Sequence, residues 1–527
     1  MNLPAWSTLL PPLITLLAAG ITKNVGFSLL LGIGFGSYLA TEFSITASLS
    51  FSIHRIASQL FAPSTLILFI FLSLLAFIIE LMRVSGGVAA YVGFLQKRIK
   101  NKKHAELAVF VFSGIFCIDD YINNMLTGAI IRPFAERFSI AREKIAFLLN
   151  SLSSPVVAII PASTWAAMII TRLETGGISL TQSATQLISA DPFFVYLHAI
   201  PCTFYSFLII SSALYIVLSR RAYGPMLDLE KKAELQQPMQ EQQTQKIKNE
   251  ESIAGFLIPL ACFLLFLPIF LLYLGNSNLF GGTNSVLDAL KTTNIMASFC
   301  YTGAIAAIIL GTFLIHQKKE TIKSLVNISI QSIWSMRNSF KILTLAFTLG
   351  AIISQDLHAG SYIASLICCN LSTFLLPAII FLLASATTAS TGSSWGTIAI
   401  ITPLALQTIA TLTDTSLPAT LSNTPLLYQT IGAILSGAVA GAHISPLTEA
   451  TIISSTAAQA DHLQHVKTQL VYATPAFLIT GLLFLITGLY PDITTNLGSC
   501  TIMLILGITI TISVIGLISH KKENCYN

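Results

Sequence analysis

The sequence predicts an all-α polytopic membrane protein. Its 527 residues are 54% hydrophobic and only 10% charged, with a mean hydropathy of +0.76, whereas soluble domains carry about 25% charged residues. Apolar stretches of membrane-spanning length recur along the chain, and we expect helices because lipid does not tolerate unpaired backbone groups. The stretches are 5–21, 25–41, 64–84, 146–171, 192–218, 253–274, 293–315, 339–355, 429–457, 470–490 and 499–519.

The N-terminal stretch, "MNLPAWSTLLPPLITLLAAG", has neither a basic start nor a small-residue cleavage site, so we expect a retained first helix. The eight cysteines are scattered without metal-ligand spacing and are expected to pack in the core. The net charge of +5 does not indicate a nucleic-acid partner, because in a membrane protein the informative feature is which loops carry Lys and Arg.

Basic residues alternate with weakly charged stretches and predict the orientation. Clusters lie at 97–103, 132–144, 220–248 and 318–341, and further lysines occur near the C-terminus. The stretches 42–63, 173–190, 275–292, 412–428 and 491–499 hold only Arg55, Lys291 and, at a boundary, Arg172. Because basic loops stay in the cytoplasm, we predict a cytoplasmic C-terminus.

Two apolar blocks predict re-entrant hairpins instead of complete crossings. The block near 105–131 lies between two basic loops and is interrupted by "DDYINN", so it is expected to enter from the cytoplasm and return. The block near 371–411 lies between weakly charged flanks and is interrupted by "TTASTGSSWGT", which predicts a hairpin entering from outside.

A faint internal repeat supports this arrangement. "DDYINNMLTGAIIRP" lines up with "ASTGSSWGTIAIITP", and "SSPVVAIIPASTW" lines up with "ISPLTEATIISST", in the same order. Charge parity places the two copies in opposite orientations, which is the inverted-repeat plan of secondary transporters with broken helices. We therefore predict an N-terminal transmembrane half at 1–218, a cytoplasmic linker at 219–252 and a C-terminal transmembrane half at 253–527. Residues 324–338 are expected to form an amphipathic interfacial helix.

The first polar constellation follows the hairpin interruption. If a helix resumes near Asp120, then Asp120, Asn123, Asn124 and Thr127 form one polar stripe. Carboxylate and amide oxygens suit a hard cation, and we predict a sodium site at Asp120, Asn123 and Asn124. Asp119 and Asp120 need a compensating role, because each intramembrane carboxylate costs about 2.5–3.5 kcal/mol. A proton and a cation are expected to compete there. The plainer alternative is that the aspartates cap the helix or pair with Arg132.

The second and third constellations are rich in hydroxyl groups. Small residues near the second interruption allow an unwound turn that offers oxygen ligands, or else close helix packing; the candidates are Ser390, Thr391, Ser393 and Ser394. "GAVAGAHISPLTEATIISS" contains Glu449, predicted to be a second proton or cation carrier or the partner of His443. The remaining predicted cavity residues are Ser154, Ser163, Thr164, Ser445 and Thr448. "DHLQH", residues 461–465, places His462 and His465 at i, i+3, a spacing that suits metal binding or pH sensing. Because it lies beside Lys467 in a predicted cytoplasmic turn, a solvated loop or helix start is expected instead.

These motifs resemble the NhaC-type sodium/proton antiporter family of the ion transporter superfamily. The resemblance runs from about residue 64 to 490 without the linker, and the long motif that begins at Asp119 is its most specific part. It implies a bacterial inner-membrane secondary transporter, expected to be a homodimer, that exchanges sodium for protons. Some relatives couple such gradients to organic anions or amino acids.

One departure from the family pattern concerns a carboxylate. Members usually read Gly-Asp-His-Cys-Ser-Pro where this chain reads "GAHISP" at 441–446, so Ala442 replaces an acidic residue. This leaves the ion stoichiometry and the use of sodium open.

The predicted function is secondary active exchange of sodium or lithium for protons, with no cofactor and no enzymatic activity. The alternative is sodium- or proton-coupled transport of a small organic solute such as an amino acid or carboxylate. A passive channel would lack obligatory countertransport. A membrane enzyme would need a nucleophile and base or a metal set. The chain has no Walker A or HExxH motif, and no serine elbow is expected.

Overall fold

The computed structural model describes most of the chain. The described residues are 5–22, 24–87, 90, 99, 101–161, 163–180, 186–235, 253–286, 289, 293–358, 373–412, 418–446, 448–491 and 497–521. Most of the predicted linker, 236–252, lies outside them.

The described part of the chain is almost entirely helical. In the first half, the α-helices are α1 (Leu10–Thr22), α2 (Val25–Ala40), α3 (Ile45–Leu60), α4 (Pro63–Val84), α5 (Lys102–Ile115), α6 (Asp120–Arg137), α7 (Arg142–Leu152), α8 (Ser154–Ile159), α9 (Thr164–Thr175), α10 (Pro192–Ala199), α11 (Phe204–Ser219) and α12 (Pro225–Leu235). In the second half they are α13 (Ala254–Leu274), α14 (Ile295–His316), α15 (Ile322–Ser335), α16 (Arg337–Ala351), α17 (Leu376–Thr391), α18 (Ser394–Leu412), α19 (Leu427–Ile444), α20 (Glu449–Ala458), α21 (His462–Leu489) and α22 (Leu497–Ile518). A π-helical turn, Ile352–Asp356, follows α16.

Seven of the described helices are long and apolar enough to cross a membrane, and the number rises to nine if each of two bent pairs is one span. The spans predicted at 64–84, 253–274, 293–315, 470–490 and 499–519 each form a single helix. The all-α polytopic architecture is therefore confirmed, since long apolar helices satisfy their own backbone groups.

Several predicted spans are broken where the sequence places proline or small polar residues. The stretch 146–171 contains α7, α8 and α9, and the axis bends by 47° before α9. The stretch 429–457 divides into α19 and α20 on either side of Pro446. The stretch 192–218, expected to be one helix, bends by 46° between α10 and α11. Pro201 lies in that bend and cannot donate a backbone hydrogen bond.

Both predicted hairpin segments consist of two helices joined by a short break. Residues 116–119 join α5 to α6, and the Asn123 amide reaches back to the Ser113 carbonyl at 2.9 Å. Residues 392–393 join α17 to α18, and the hydroxyls of Thr388 and Thr397 lie 2.8 Å apart across that break. The contacts across each break show that the two helices fold back on one another.

The helix α3 occupies part of a stretch that the sequence analysis treated as a weakly charged loop. Its serines and single arginine make it too polar for a span. Ser52 donates a hydrogen bond to Ser37 at 2.8 Å, and Arg55 pairs with Asp356. Tertiary contacts therefore hold this helix. The predicted amphipathic segment 324–338 coincides with α15.

Short strands join distant loops. A three-stranded parallel sheet contains β1 (Ile178–Ser179), β2 (Ile188–Ser189) and β4 (Ala419–Thr420), in the order β1-β2-β4. The antiparallel pair is β3 (Arg221–Ala222) with β5 (His520–Lys521). Two weakly charged stretches, 173–190 and 412–428, thus pair with each other, and the basic stretch after α11 pairs with the one after α22.

The chain forms two compact units. The first contains Met1–Gln59, Asn101–Pro238 and Ile342–Asn527, and the second contains Leu60–Lys100 and Met239–Lys341. All predicted site residues belong to the first unit. Each unit takes segments from both halves of the chain, and the division into inverted repeats stays a prediction.

A buried ion cluster joins three helices of the first unit. The Lys144 ammonium lies 2.8 Å from a Glu106 carboxylate oxygen and 3.2 Å from a Glu230 oxygen, and all three side chains are at most 4% exposed. The cluster ties α7 to α5 and to α12. Part of the predicted linker is consequently helical and attached to the transmembrane core.

Candidate functional site

The first aspartate caps the helix that follows the hairpin break. One Asp119 carboxylate oxygen accepts the Tyr121 backbone N–H at 3.0 Å, and the other accepts the Thr164 hydroxyl at 3.1 Å. The Thr164 backbone N–H also donates to the Ile118 carbonyl at 2.8 Å. These bonds fasten the hairpin tip to the start of α9. The alternative that an aspartate caps the helix therefore holds for one oxygen of Asp119, the one that accepts the Tyr121 N–H.

The second aspartate is buried and incompletely paired. Asp120 is 5% exposed, and its Oδ2 accepts the Ser154 hydroxyl at 2.8 Å. Ser154 begins α8 directly after the helix break, so its side chain is available to the hairpin tip. The other oxygen, Oδ1, has no hydrogen-bond partner in the described part of the chain. A buried carboxylate oxygen without a donor is costly unless a proton or cation occupies it.

The polar stripe behind Asp120 divides between two neighbours. The Asn124 amide nitrogen donates to the Ser153 hydroxyl at 2.8 Å, and its Oδ1 has no partner among the described residues. Asn123 instead faces its own hairpin, where its oxygen accepts the Thr127 hydroxyl at 3.4 Å. The free oxygens of Asp120 and Asn124 are thus one turn apart on one helix face. The side-chain oxygen of Asn123 already accepts the Thr127 hydroxyl. Sodium binding by Asn123 stays a prediction.

The second broken helix meets the second hairpin. The Ser445 hydroxyl donates to the Ala389 carbonyl at 2.7 Å, just before that hairpin's break. The Glu449 backbone N–H donates to the Gly392 carbonyl at 3.3 Å, and the Glu449 side chain is exposed. The Thr448 hydroxyl bonds to the Ala442 carbonyl within the break. Hydroxyl groups therefore satisfy the backbone carbonyls that the broken helices leave unpaired.

Residues of the second hairpin have mainly local partners. Ser393 Oγ accepts the Gly396 backbone N–H at 3.2 Å, and Ser394 Oγ donates to the Ala438 carbonyl at 3.1 Å. Residues 392–396, "GSSWG", match the spacing of a serine-hydrolase elbow, which requires a strand followed by a helix. Here the segment joins two helices. The side chains of the predicted cavity residues Ser390 and Thr391 lie outside the described residues.

A buried histidine joins the two broken helices. His443 Nδ1 lies 2.9 Å from the Tyr205 hydroxyl, and Nε2 lies 3.1 Å from the Asn150 carbonyl. A carbonyl only accepts, so Nε2 carries a proton and donates to Asn150, while Nδ1 shares a hydrogen bond with the Tyr205 hydroxyl. The Asn150 amide nitrogen in turn donates to Thr451 at 3.3 Å. Both ring nitrogens of His443 therefore have hydrogen-bond partners, and neither partner is Glu449.

Asn150 was missed by the sequence analysis, although it connects the two halves of the site. It lies one turn before Ser154 on the far side of the helix break, and its Oδ1 has no partner among the described residues. A polar residue one turn from a break in an apolar span was the available signal. Ser163, in contrast, caps α9 and donates to the Val157 carbonyl at 2.7 Å.

The prediction for "DHLQH" is correct in one respect and wrong in another. Asp461 caps α21, so the segment is a helix start. His465 is fully buried, however, and lies 3.1 Å from the Ser454 hydroxyl. It points inward because it follows the cap by one turn, on the face that packs against α20.

The sequence of the C-terminal part of the chain matches a known protein family. A model of the Na+/H+ antiporter family matches residues 175–489, more than half of the chain. The chain belongs to this family. The resemblance drawn from the motifs is confirmed, and the chain is a multi-pass membrane protein that performs cation-coupled antiport. Antiport is not an enzymatic activity.

Three individual proteins are similar to this chain in sequence. An uncharacterized protein of Haemophilus influenzae is 29% identical over 489 residues, which is 92% of this chain and 91% of that protein. A malate-2H(+)/Na(+)-lactate antiporter of Bacillus subtilis is 32% identical over 187 residues, covering 34% of this chain and 36% of the relative. An uncharacterized Na(+)/H(+) antiporter of Haemophilus influenzae is 31% identical over 102 residues, 19% of each chain.

Two solved transporters are distantly similar in structure. Neisseria gonorrhoeae MtrF, from a class of antimetabolite efflux pumps, is 14% identical with a TM-score of 0.45, and 85% of each chain is covered. The Alcanivorax borkumensis YdaH transporter is 13% identical with a TM-score of 0.44, covering 84% of this chain and 88% of that one.

Proposed function

We propose that this antiporter exchanges sodium or lithium for protons at Asp120. The observation that carries the proposal is a pair of buried oxygens on one face of α6, Oδ1 of Asp120 and Oδ1 of Asn124, which have no hydrogen-bond partner within the described ranges. An ionised carboxylate beside an amide oxygen offers hard ligands to a small cation. A proton on Asp120 removes the negative charge that the cation requires. One site therefore holds either a proton or a cation, as exchange demands.

The neighbouring groups hold this carboxylate in place. Ser154 positions Oδ2 of Asp120 by donating to it at 2.8 Å, which leaves Oδ1 as the atom for exchange. Asp119, tied to Tyr121 and Thr164, adds a second negative charge that attracts cations. We assign to Glu449 the role of a second proton carrier, because its carboxylate is exposed at the start of α20 beside the second hairpin break.

The test is proton movement in proteoliposomes that contain a pH-sensitive dye. Sodium or lithium added outside should move protons in wild-type liposomes and should move none above background in Asp120→Asn. The matched control is Asp461→Asn, since Asp461 is an exposed helix cap and asparagine caps equally well. Exchange by Asp120→Asn at the wild-type rate would refute the role of this carboxylate.

A second candidate function is coupled transport of a small organic acid. The observation in its favour is the similarity to a protein named as a malate-2H(+)/Na(+)-lactate antiporter. If sodium alone moves no protons in wild-type liposomes but lactate or malate does, this function replaces simple sodium/proton exchange. Both functions use the same carboxylate for coupling.

We further propose a bacterial inner-membrane homodimer with a cytoplasmic C-terminus. The pairing of β3 with β5 supports a common side for the basic loop after α11 and the C-terminal segment. A C-terminal green fluorescent protein fusion should fluoresce, whereas a C-terminal alkaline phosphatase fusion should stay inactive. Native mass spectrometry of the purified chain should give twice the mass of one copy.

A further inference from the structure

Arg172 is a buried arginine whose charge has no counter-ion among the residues that the structure describes. It lies in the last turn of α9, is 2% exposed, and its guanidinium carbon is 3.0 Å from the centroid of the Phe347 ring. The ring covers one face of the guanidinium plane and contributes a cation–π interaction. Nε and Nη2 have no hydrogen-bond partner in the part of the chain that the structure describes.

An unpaired guanidinium in this position requires an explanation. Arginine stays protonated in proteins, so burial does not neutralise it. No ion pair involves Arg172 among the described residues, in contrast to Lys144, which is buried between two carboxylates. Charges inside a membrane protein are costly and are retained at substrate or ion pathways. The free edge of the guanidinium, Nε and Nη2, is the edge that binds a carboxylate with two parallel hydrogen bonds.

The position of Arg172 connects it to the proposed exchange site. Helix α9 begins at Thr164, which donates to Asp119, and Arg172 follows eight residues later. At 1.5 Å per residue the two Cα atoms are about 12 Å apart along the axis. Side chains on a helix lean towards its N-terminus, and in α9 that is the end that carries Thr164. Helix α9 thus carries both Arg172 and Thr164, the residue that contacts the proposed cation site.

We propose that Arg172 binds the carboxylate of a small organic acid that this protein transports. The inference rests on the proposed antiport and adds an anion subsite to it. The acid's carboxylate occupies Nε and Nη2 of Arg172, Phe347 supports the opposite face, and the coupling ion binds at Asp120. The cation and the acid bind at separate positions, which allows both to be present in one transport cycle.

The first experiment measures binding by thermal stabilisation of the full purified chain in detergent. The probes are sodium L-lactate and sodium L-malate, each compared with sodium chloride and sodium phosphate at equal sodium concentration and ionic strength. One of the two carboxylates should raise the wild-type melting midpoint above both inorganic salts. In Arg172→Gln the concentration needed for half of this shift should rise at least about tenfold, because a charge-assisted bidentate contact is lost.

Two further variants separate binding from packing. Arg172→Lys keeps the charge without the planar fork and should have an intermediate affinity. Arg137→Gln is the matched control, since Arg137 also lies over a ring, 5.5 Å from the Phe138 centroid, but is exposed. It should keep the wild-type response. An equal shift by chloride or phosphate, or an equal carboxylate response in wild type and Arg172→Gln, would overturn the proposal. If Arg172→Gln does not fold, the wild-type midpoints in carboxylate and in inorganic salts still test the proposal, because equal midpoints refute carboxylate binding.

The second experiment distinguishes this inference from the proposed exchange. Proton movement driven by sodium alone in wild-type liposomes tests exchange at Asp120. Uptake of radiolabelled lactate or malate under a sodium or proton gradient tests Arg172, and should fall at least about tenfold in Arg172→Gln but not in Arg137→Gln. Sodium-driven proton movement without any uptake of either acid leaves exchange standing and refutes the anion subsite. Uptake that depends on Arg172 without sodium-driven proton movement supports the subsite and refutes simple sodium/proton exchange.

Discussion

Helix α19 packs so closely on α17 that a single methyl group should disturb the second hairpin. Gly437 and Gly441 lie one turn apart, in the small-xxx-small spacing that lets membrane helices approach. A Cβ on Gly441 would lie 2.4 Å from the Ser385 carbonyl oxygen and 2.7 Å from Thr388 Cβ. A Cβ on Gly437 would likewise lie 2.6 Å from the Phe381 carbonyl oxygen. We predict that Gly441→Ala destabilises the protein.

The structure sets the size of the effect. Real Cβ atoms essentially never approach another heavy atom closer than 3.0 Å, so the helices must separate by about 0.6 Å or more. Overpacking of this kind costs about 1–3 kcal/mol. Ser445 lies one turn beyond Gly441 and donates to the Ala389 carbonyl at 2.7 Å. The same separation would lengthen that bond to about 3.3 Å and weaken it. Exchange should therefore slow together with the loss of stability.

The assay is the melting midpoint of the purified protein in detergent, followed by proton exchange in liposomes. Gly441→Ala should lower the midpoint by at least about 2 °C. Gly34→Ala is the matched control, because a Cβ on Gly34 in α2 meets no heavy atom within 4 Å. Alanine there should leave the midpoint unchanged or raise it, because alanine favours the helix over glycine by up to about 1 kcal/mol. A Gly441→Ala variant that melts at or above the wild-type midpoint would refute the packing argument.

Two other predictions concern polar groups of the first unit. Lys144→Met removes the ammonium partner of the buried Glu106 and leaves the buried Glu230 with Lys102, 4.0 Å away, so it should cost about 3–5 kcal/mol in a melting experiment. Breaking the exposed pair of Arg142 with Arg142→Met should cost at most about 1 kcal/mol. Ser154→Ala removes a donor to the charged Asp120, worth about 1.5–3 kcal/mol, so the sodium concentration for half-maximal proton flux should rise at least about tenfold. Ser212→Ala, whose hydroxyl bonds only within its own helix, should leave that concentration unchanged, and equal effects of the two serine variants would contradict the assignment.

Much of the membrane architecture could be predicted because its causes are local. A run of about 20 apolar residues forms a helix wherever it lies, and α4, α13 and α14 agree with the predicted spans within a few residues. Basic flanks predicted that the first block folds back, and weakly charged flanks predicted it for the second. The helix breaks before Asp120 and at Gly392 occur where polar residues interrupt the apolar runs. Periodicity alone placed Asp120 and Asn124 on one helix face.

The partners of these groups could not be predicted, because they depend on long-range packing. Asp120 and Ser154 are separated by 34 residues, and His443 meets Tyr205 across 238 residues. Sequence periodicity indicates which face of a helix is polar, but not which helix lies against it.

The sequence by itself determined which segments enter the membrane and where carboxylates enter with them, since hydrophobicity and charge act on each segment separately. Only the tertiary structure decided that both ring nitrogens of His443 have partners. It also decided that, in the described part of the chain, the Asn124 oxygen has no donor and the buried Arg172 has no counter-ion. Hydrogen bonding of a buried group depends on the atoms that packing brings within about 3 Å, and this packing joins residues from both halves of the chain.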